Sequence, residues 1–260
     1  MLNFDAVIFD MDGVITRTAS VHSQAWKSMF DGFLKVHSSR RGEPFHEFTH
    51  ESDYLVYVDG RPRYQGVDRF LKSRNIQLPW GTANDSPGAE TVCGLGNRKN
   101  EHFNALVEQH GVGIFESSLT LIRELRSQGI RIGLATSSKN SEFILGKAGI
   151  LDFFETRVDG LVATELGLKG KPEPDIFTTA CARLGCQPGR AIVMEDAVTG
   201  VEAGARGGFA LVVGIARENN AHALKSHGAH IVVRDLAELD LPALIQWVAK
   251  YRRQSFPQPA

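Results

Sequence analysis

From Phe115 onward the chain alternates apolar runs with segments of helical periodicity, and this alternation limits the possible folds more than any other feature. The helical segments are Ser118–Gln128, Ser141–Ala148, Asp175–Leu184 and Gly200–Gly207. The apolar runs are Ile130–Ala135, Val158–Ala163, Ala191–Met194, Ala210–Val213 and Ile231–Val233. Strands this apolar need cover on both faces, and intervening helices supply it when the strands lie parallel. A further run, Ala6–Phe9, stands near the start of the chain. The expected class is α/β, a Rossmann-like parallel sheet covered by helices.

Between the first run and the rest lies a stretch of different character. A helix is expected at Ser20–Leu34, where Trp26, Met29, Phe30 and Phe33 recur at helical spacing and Ser20 can cap the start. From about Lys35 to Gly111 the chain is rich in His, Arg, Gly and Pro, with short helical patterns such as Val67–Arg74 and Asn97–His110 and no buried-strand signal. The expected division is residues 1–18 with 112–260 as an α/β core, and residues 19–111 as an inserted helical domain.

The 29 Lys and Arg balance 30 Asp and Glu, so nothing pulls the whole molecule toward nucleic acid or an anionic membrane. No apolar run approaches the length of a membrane span, and the start enters a strand without a basic segment and cleavage site. A cytoplasmic protein is expected, acting as a monomer or weak oligomer. The three cysteines, Cys93, Cys181 and Cys186, argue against a disulfide framework, and the last two are expected to pack as small apolar residues. A polar tail, 252–260, closes the sequence.

Ligands of open α/β sheets sit at the carboxyl ends of strands, so the residues that follow each run matter most. After Ala6–Phe9 come Asp10 and Asp12, then Gly13. Two acids converging where a buried strand frays into a loop are costly without a positive partner. Mg2+, a hard ion that takes oxygen ligands and works with phosphates, is the simplest such partner. The plain alternative is a surface turn in which Asp12 and Gly13 supply only loop geometry. After Ile130–Ala135 come Thr136, Ser137, Ser138, Lys139 and Asn140, a phosphate cradle or an ordinary helix cap. Lys171 stands just before a proline-flanked helix start, with Asp175 close to the cap; a lone loop lysine is usually a solvated charge. After Ala191–Met194 come Glu195 and Asp196.

These four stations resemble the motifs of the haloacid dehalogenase superfamily: F-D-M-D-G at Phe9–Gly13, L-A-T-S-S at Leu134–Ser138, G-K-P-E-P-D at Gly170–Asp175 and M-E-D-A-V-T-G at Met194–Gly200. Within it the chain is similar to the branch that holds the β-phosphoglucomutases, through D-G-V-I-T-x-T-A at Asp12–Ala19, H-x-x-A-W-K at His22–Lys27, G-V-x-R at Gly66–Arg69 and N-R-K-N at Asn97–Asn100. The resemblance implies a helical cap inserted after the first motif. It also implies Asp10 as the nucleophile that becomes an aspartyl-phosphate and Asp12 as general acid and base. Mg2+ would be held by Asp10, the Asp12 carbonyl, Glu195 and Asp196, and the transferring phosphoryl oxygens by Thr136, Ser137 and Lys171. A carboxylate attacking a phosphate dianion meets repulsion of about 4 kcal/mol per charge pair at ~4 Å and an effective dielectric near 20, which Mg2+ and Lys171 would offset.

For the cap, the resemblance gives His22 a hinge or proton role, where the residues alone suggest a buried histidine. Lys99 would reach sugar hydroxyls, although Arg98 and Lys99 otherwise read as a solvated helical face. Arg69 would neutralise the distal phosphate, with Arg61 and Arg63 as alternatives, because the segment Gly32–Tyr64 is longer than in the smaller mutases. H-E-F-T-H at His46–His50 superficially matches a zinc-binding pattern; the weak apolar stripe around it and the absence of an evident third ligand speak against that reading. The expected activity is Mg2+-dependent phosphoryl transfer on a small phosphorylated substrate, a β-phosphoglucomutase reaction through the 1,6-bisphosphate. A phosphatase on the same core and a non-catalytic regulatory module are the alternatives.

Overall fold

The computed structural model describes residues 2–255; the end of the expected polar tail, from 256 on, lies outside the described residues. Two compact units are present, one formed by the chain up to Arg17 together with the chain from Gly113 onward, the other by Thr18–Val112.

The first unit is built on a six-stranded parallel sheet of order β3-β2-β1-β4-β5-β6. Its strands are β1 (Ala6–Phe9), β2 (Arg131–Ala135), β3 (Thr156–Val158), β4 (Ala191–Glu195), β5 (Leu211–Ile215) and β6 (Ile231–Val233). β1 lies in the interior of the sheet, with Phe9 opposite Leu134 on one side and Met194 on the other. All four of its residues are buried, as strands covered on both faces must be. The helices are α4 (Glu116–Ser127), α5 (Ser141–Lys147), α6 (Gly160–Glu165), α7 (Asp175–Arg183), α8 (Val198–Arg206), α9 (Ala221–Ser226) and α10 (Leu241–Ser255). Helical spacing in α7 brings Ile176, Phe177, Ala180 and Cys181 onto Ile8 and Val193 in one core, which Val201 and Ala203 of α8 complete. Each large side chain so buried contributes about 1.5–3 kcal/mol. Cys181 and Cys186 are free thiols inside this core.

The expected strand Val158–Ala163 is corrected here. β3 ends at Val158, because the Asp159 carboxylate accepts hydrogen bonds from the Leu161 and Val162 N–H groups, both at 3.0 Å, and so starts α6. The short helix α9 and the terminal helix α10 had no distinct sequence signal.

The second unit holds α1 (Ala19–Arg41), a wide π-type helical segment (His50–Val58), α2 (Arg63–Ser73) and α3 (Val92–His110). Its core is aromatic: Phe30 packs on Trp26, Phe48 and Phe70 with ring centroids 5.4, 5.0 and 4.1 Å away. α1 runs past Leu34 because no Gly or Pro interrupts Lys35–Arg41; Gly42, at φ 65°, ends it. Its cap position is Thr18, and Ser20 lies inside the first turn. α3 starts at Val92, ahead of the expected Asn97, because Thr91 Oγ1 accepts from the Gly94 N–H at 2.9 Å. Among the described residues no helix is long and apolar enough to cross a membrane.

Candidate active site

The site forms where β1 and β4 end side by side. Asp10 continues the ladder beyond β1, its N–H donating to the Met194 carbonyl at 2.9 Å, which holds its carboxylate next to Glu195 and Asp196. The following loop folds back on itself: Gly13 N–H donates to Thr16 O at 2.8 Å, Thr16 N–H to Met11 O at 3.0 Å, and Ser118 Oγ to Val14 O at 2.6 Å. Among the described residues, the group of three or more potential metal ligands is Asp10, Glu195 and Asp196, whose carboxylate oxygens lie within 4.8 Å of one another. The Asp12 carboxylate is outside that group and half-buried.

Lys171 joins this cluster from the loop before α7. Its ammonium donates to Asp10 Oδ1 at 2.6 Å and to Glu195 Oε1 at 2.5 Å, and it is 1% exposed. The solvated-lysine alternative is thereby excluded. The other Glu195 oxygen accepts from the Ala197 N–H at 2.7 Å. Thr136, at the end of β2, is buried; its N–H donates to Val158 O and its hydroxyl accepts from the Ser138 N–H at 3.1 Å. Ser137 follows it, half-buried.

Two glycines make the close approach possible. Gly13 has φ +83°, and a Cβ there would lie 1.8 Å from Asp196 Oδ2. A Cβ on Gly200, in the first turn of α8, would lie 1.7 Å from Glu195 Oε1. Gly200 is a site residue that the sequence reading missed; its signal was a glycine one helical turn after an acidic pair.

Burial is the main force pushing the Asp10 carboxyl well above the usual carboxylate range, opposed by Lys171 and reinforced by Glu195 and Asp12. For Lys171 burial acts downward, but the Asp10 and Glu195 carboxylates outweigh it and raise the ammonium. Three carboxylates facing one ammonium leave an excess of negative charge in a buried place, with oxygen donors suited to a hard divalent cation.

In the helical unit, the structure joins two residues that are 77 positions apart. Lys99 Nζ lies 2.5 Å from His22 Nδ1, and its ammonium sits 5.1 Å from the Trp26 ring centroid and 4.7 Å from that of Phe103. The His22 ring stacks on Phe103 at 4.1 Å. Lys99 is only 3% exposed, so the solvated-face alternative is excluded for it: cation–π contact and the imidazole hold the ammonium inside. Arg69 is exposed on α2, whereas Arg63, at the start of the same helix, donates to Asn100 Oδ1 at 2.6 Å, and burial lowers its pKa. The His46–His50 segment does not form one helical turn: His46 precedes the helical segment that starts at His50, Glu47 pairs with Lys27 at 2.7 Å, and His50 Nδ1 lies 2.8 Å from Ser23 Oγ.

The haloacid dehalogenase-like hydrolase family matches residues 4–208, a span that takes in every station of this site. The chain belongs to that family. A relative from Mycobacterium bovis, named beta-phosphoglucomutase, is 45% identical over 90% of each chain. Another of the same name, from Bacillus subtilis, is 34% identical over 97% of this chain and 99% of its own. Among solved structures, a beta-phosphoglucomutase from Clostridium difficile superposes with a TM-score of 0.75 at 25% identity, covering 96% of this chain and 99% of the other.

Proposed function

We propose that this protein is a β-phosphoglucomutase, converting β-glucose 1-phosphate to glucose 6-phosphate through the 1,6-bisphosphate. The observation that carries the reading is the 45% identity to a β-phosphoglucomutase along nine-tenths of both chains, which spans the helical unit as well as the core. Phosphatases share the core chemistry, so likeness across the helical unit favours the mutase.

The buried cluster fits Mg2+, which Asp10, Glu195 and Asp196 would hold together with the Asp12 carbonyl. When bound, the ion supplies charge neutralisation for the transferring phosphoryl oxygens. Asp10 is the nucleophile: its carboxylate forms a bond to phosphorus as the ester P–O bond breaks, giving an aspartyl-phosphate. Lys171 fixes one oxygen of that carboxylate and keeps a positive charge beside the reacting group. Asp12 gives a proton to the departing oxygen and takes one from the hydroxyl that attacks in the return step. Thr136 and Ser137 donate to phosphoryl oxygens.

The helical unit supplies specificity. Lys99 donates to His22 Nδ1, which leaves Nε2 as the protonated ring nitrogen, and the family resemblance assigns Lys99 to the sugar hydroxyls. Arg63 is the favoured anchor for the distal phosphate in place of Arg69, because a desolvated guanidinium held by Asn100 is preorganised and an exposed one is not. The neutral charge balance fits a small phosphorylated substrate, and the absence of a spanning helix among the described residues fits a cytoplasmic site of action.

The test is a phosphorus NMR time course with protein, Mg2+, β-glucose 1-phosphate and a trace of glucose 1,6-bisphosphate. Formation of glucose 6-phosphate without matching free phosphate is expected. Dominant release of inorganic phosphate would replace the mutase reading with a phosphatase.

A further inference from the structure

We propose that Arg217 and Asn220, on the loop after β5, are positioning residues that brace the divalent-cation site from behind. The inference rests on the reading of Asp10, Glu195 and Asp196 as that site. Arg217 Nε donates to the Gly13 carbonyl at 3.0 Å, and Asn220 Nδ2 donates to the Asp196 carbonyl at 3.0 Å. Their targets are the two main-chain segments that carry Gly13 and Asp196, and Gly13 lies directly against the Asp196 carboxylate. One loop therefore holds both sides of the gap that a cation would bridge. β5 is not the neighbour of β1, because β4 lies between them, so only the length of the arginine lets this loop reach the segment that follows Asp12.

Arg217 is itself immobilised. Its Nη1 donates to Asp235 Oδ2 at 2.6 Å and to the Arg234 carbonyl at 3.1 Å, and its guanidinium carbon lies 3.7 Å from the Phe115 ring centroid. Arg17, at the other end of the loop that carries Asp12, also lies over that ring at 4.4 Å. A guanidinium locked by an ion pair and an aromatic ring holds its Nε–H in one direction. Asn220 stands immediately before α9, so the helix start fixes its backbone. Both donors face carbonyls beside an accumulation of carboxylates, which would otherwise push those carbonyls and their chain segments apart. Groups that orient metal ligands in this way typically change metal affinity about 10–100-fold when removed.

The experiment is calorimetric titration of the full chain with Mg2+, for the parent protein and for Asn220→Ala and Arg217→Lys, with thermal unfolding of each in the absence of Mg2+. The expected result is a Kd for Mg2+ raised about tenfold or more in both variants. Turnover, measured on the same samples, is expected to recover toward the parent value as Mg2+ is raised. A lower melting temperature with an unchanged Mg2+ Kd would overturn the proposal, because the loop would then only stabilise the fold. If Arg217→Lys does not fold, the half-buried Asn220→Ala decides alone on the same criterion. A parent protein that binds no Mg2+ would instead remove the cation site itself, and the bracing role with it.

Discussion

Asp10 and Asp12 are two residues apart and differ in surroundings. Asp10 is buried against Lys171, whereas Asp12 stays half-buried beyond the end of the ladder. Under the proposed roles, replacing the nucleophile differs from replacing a proton carrier. Asp10→Asn is expected to abolish formation of the phosphoenzyme with every substrate, as read by acid-quenched transfer of labelled phosphate. Asp12→Asn is expected to slow turnover about 10²–10⁴-fold, the usual contribution of general acid–base catalysis, while leaving substrate binding near the parent value. Equal effects on KM and kcat would place the proton transfer on another group. Gly200→Ala would set a methyl group where Glu195 Oε1 now lies, and Glu195 is fixed on both oxygens by Lys171 and Ala197. Denaturant titration is expected to show a loss of about 2–4 kcal/mol, within the range for disturbing a buried charged pair.

At the scale of elements, α2 offers two arginines whose surroundings separate them. Arg63→Ala is expected to raise KM for the sugar phosphate about 10–100-fold, since truncating a desolvated, hydrogen-bonded charge removes more than truncating an exposed one. Arg69→Ala is expected to change KM less than about threefold. The β5–β6 edge carries a second, pH-dependent contact. His230 Nδ1 accepts from the Val212 N–H at 2.8 Å, and burial together with Lys225 lowers its pKa from the ordinary 6.5. The Tyr251 ring packs tilted against its ring, centroids 4.7 Å apart, and the Tyr251 hydroxyl donates to its carbonyl. The unfolded chain takes up the proton more readily, so this contribution to stability is full above the ordinary value and is lost as pH falls through the lowered folded one. Thermal unfolding from pH 7.5 to 5 should show that slope, and His230→Gln, whose amide oxygen can still accept a hydrogen bond, should flatten it.

For the molecule as a whole, the cluster ties together the ends of β1 and β4 and the loop before α7, so its occupancy and the stability of the core are linked. At free Mg2+ one hundred times Kd, binding adds about 2.7 kcal/mol to the folded state. Chelation with EDTA is therefore expected to abolish turnover and lower the melting temperature, and excess Mg2+ is expected to restore both. Loss of activity without any change in melting would separate the cation from the buried carboxylates.

What local sequence alone determined follows from short-range physics. Strand and helix periodicities and the placing of acids and hydroxyls just after apolar runs are set within a few residues, so the α/β class and the candidate positions of the site were legible, whereas the interior place of Ala6–Phe9 in the sheet was not. The error at Val158–Ala163 arose because apolar content alone does not separate a strand from a helix, and the Asp159 cap decides between them. Only the tertiary structure decided contacts between distant positions. It brought Lys171 onto Asp10 and Glu195, joined Lys99 to His22, exposed Arg69 while desolvating Arg63, and carried Arg217 across to Gly13. The physical reason is that a charged side chain reads the same in sequence whether solvated or buried; its partner, supplied by another element, determines which state is affordable.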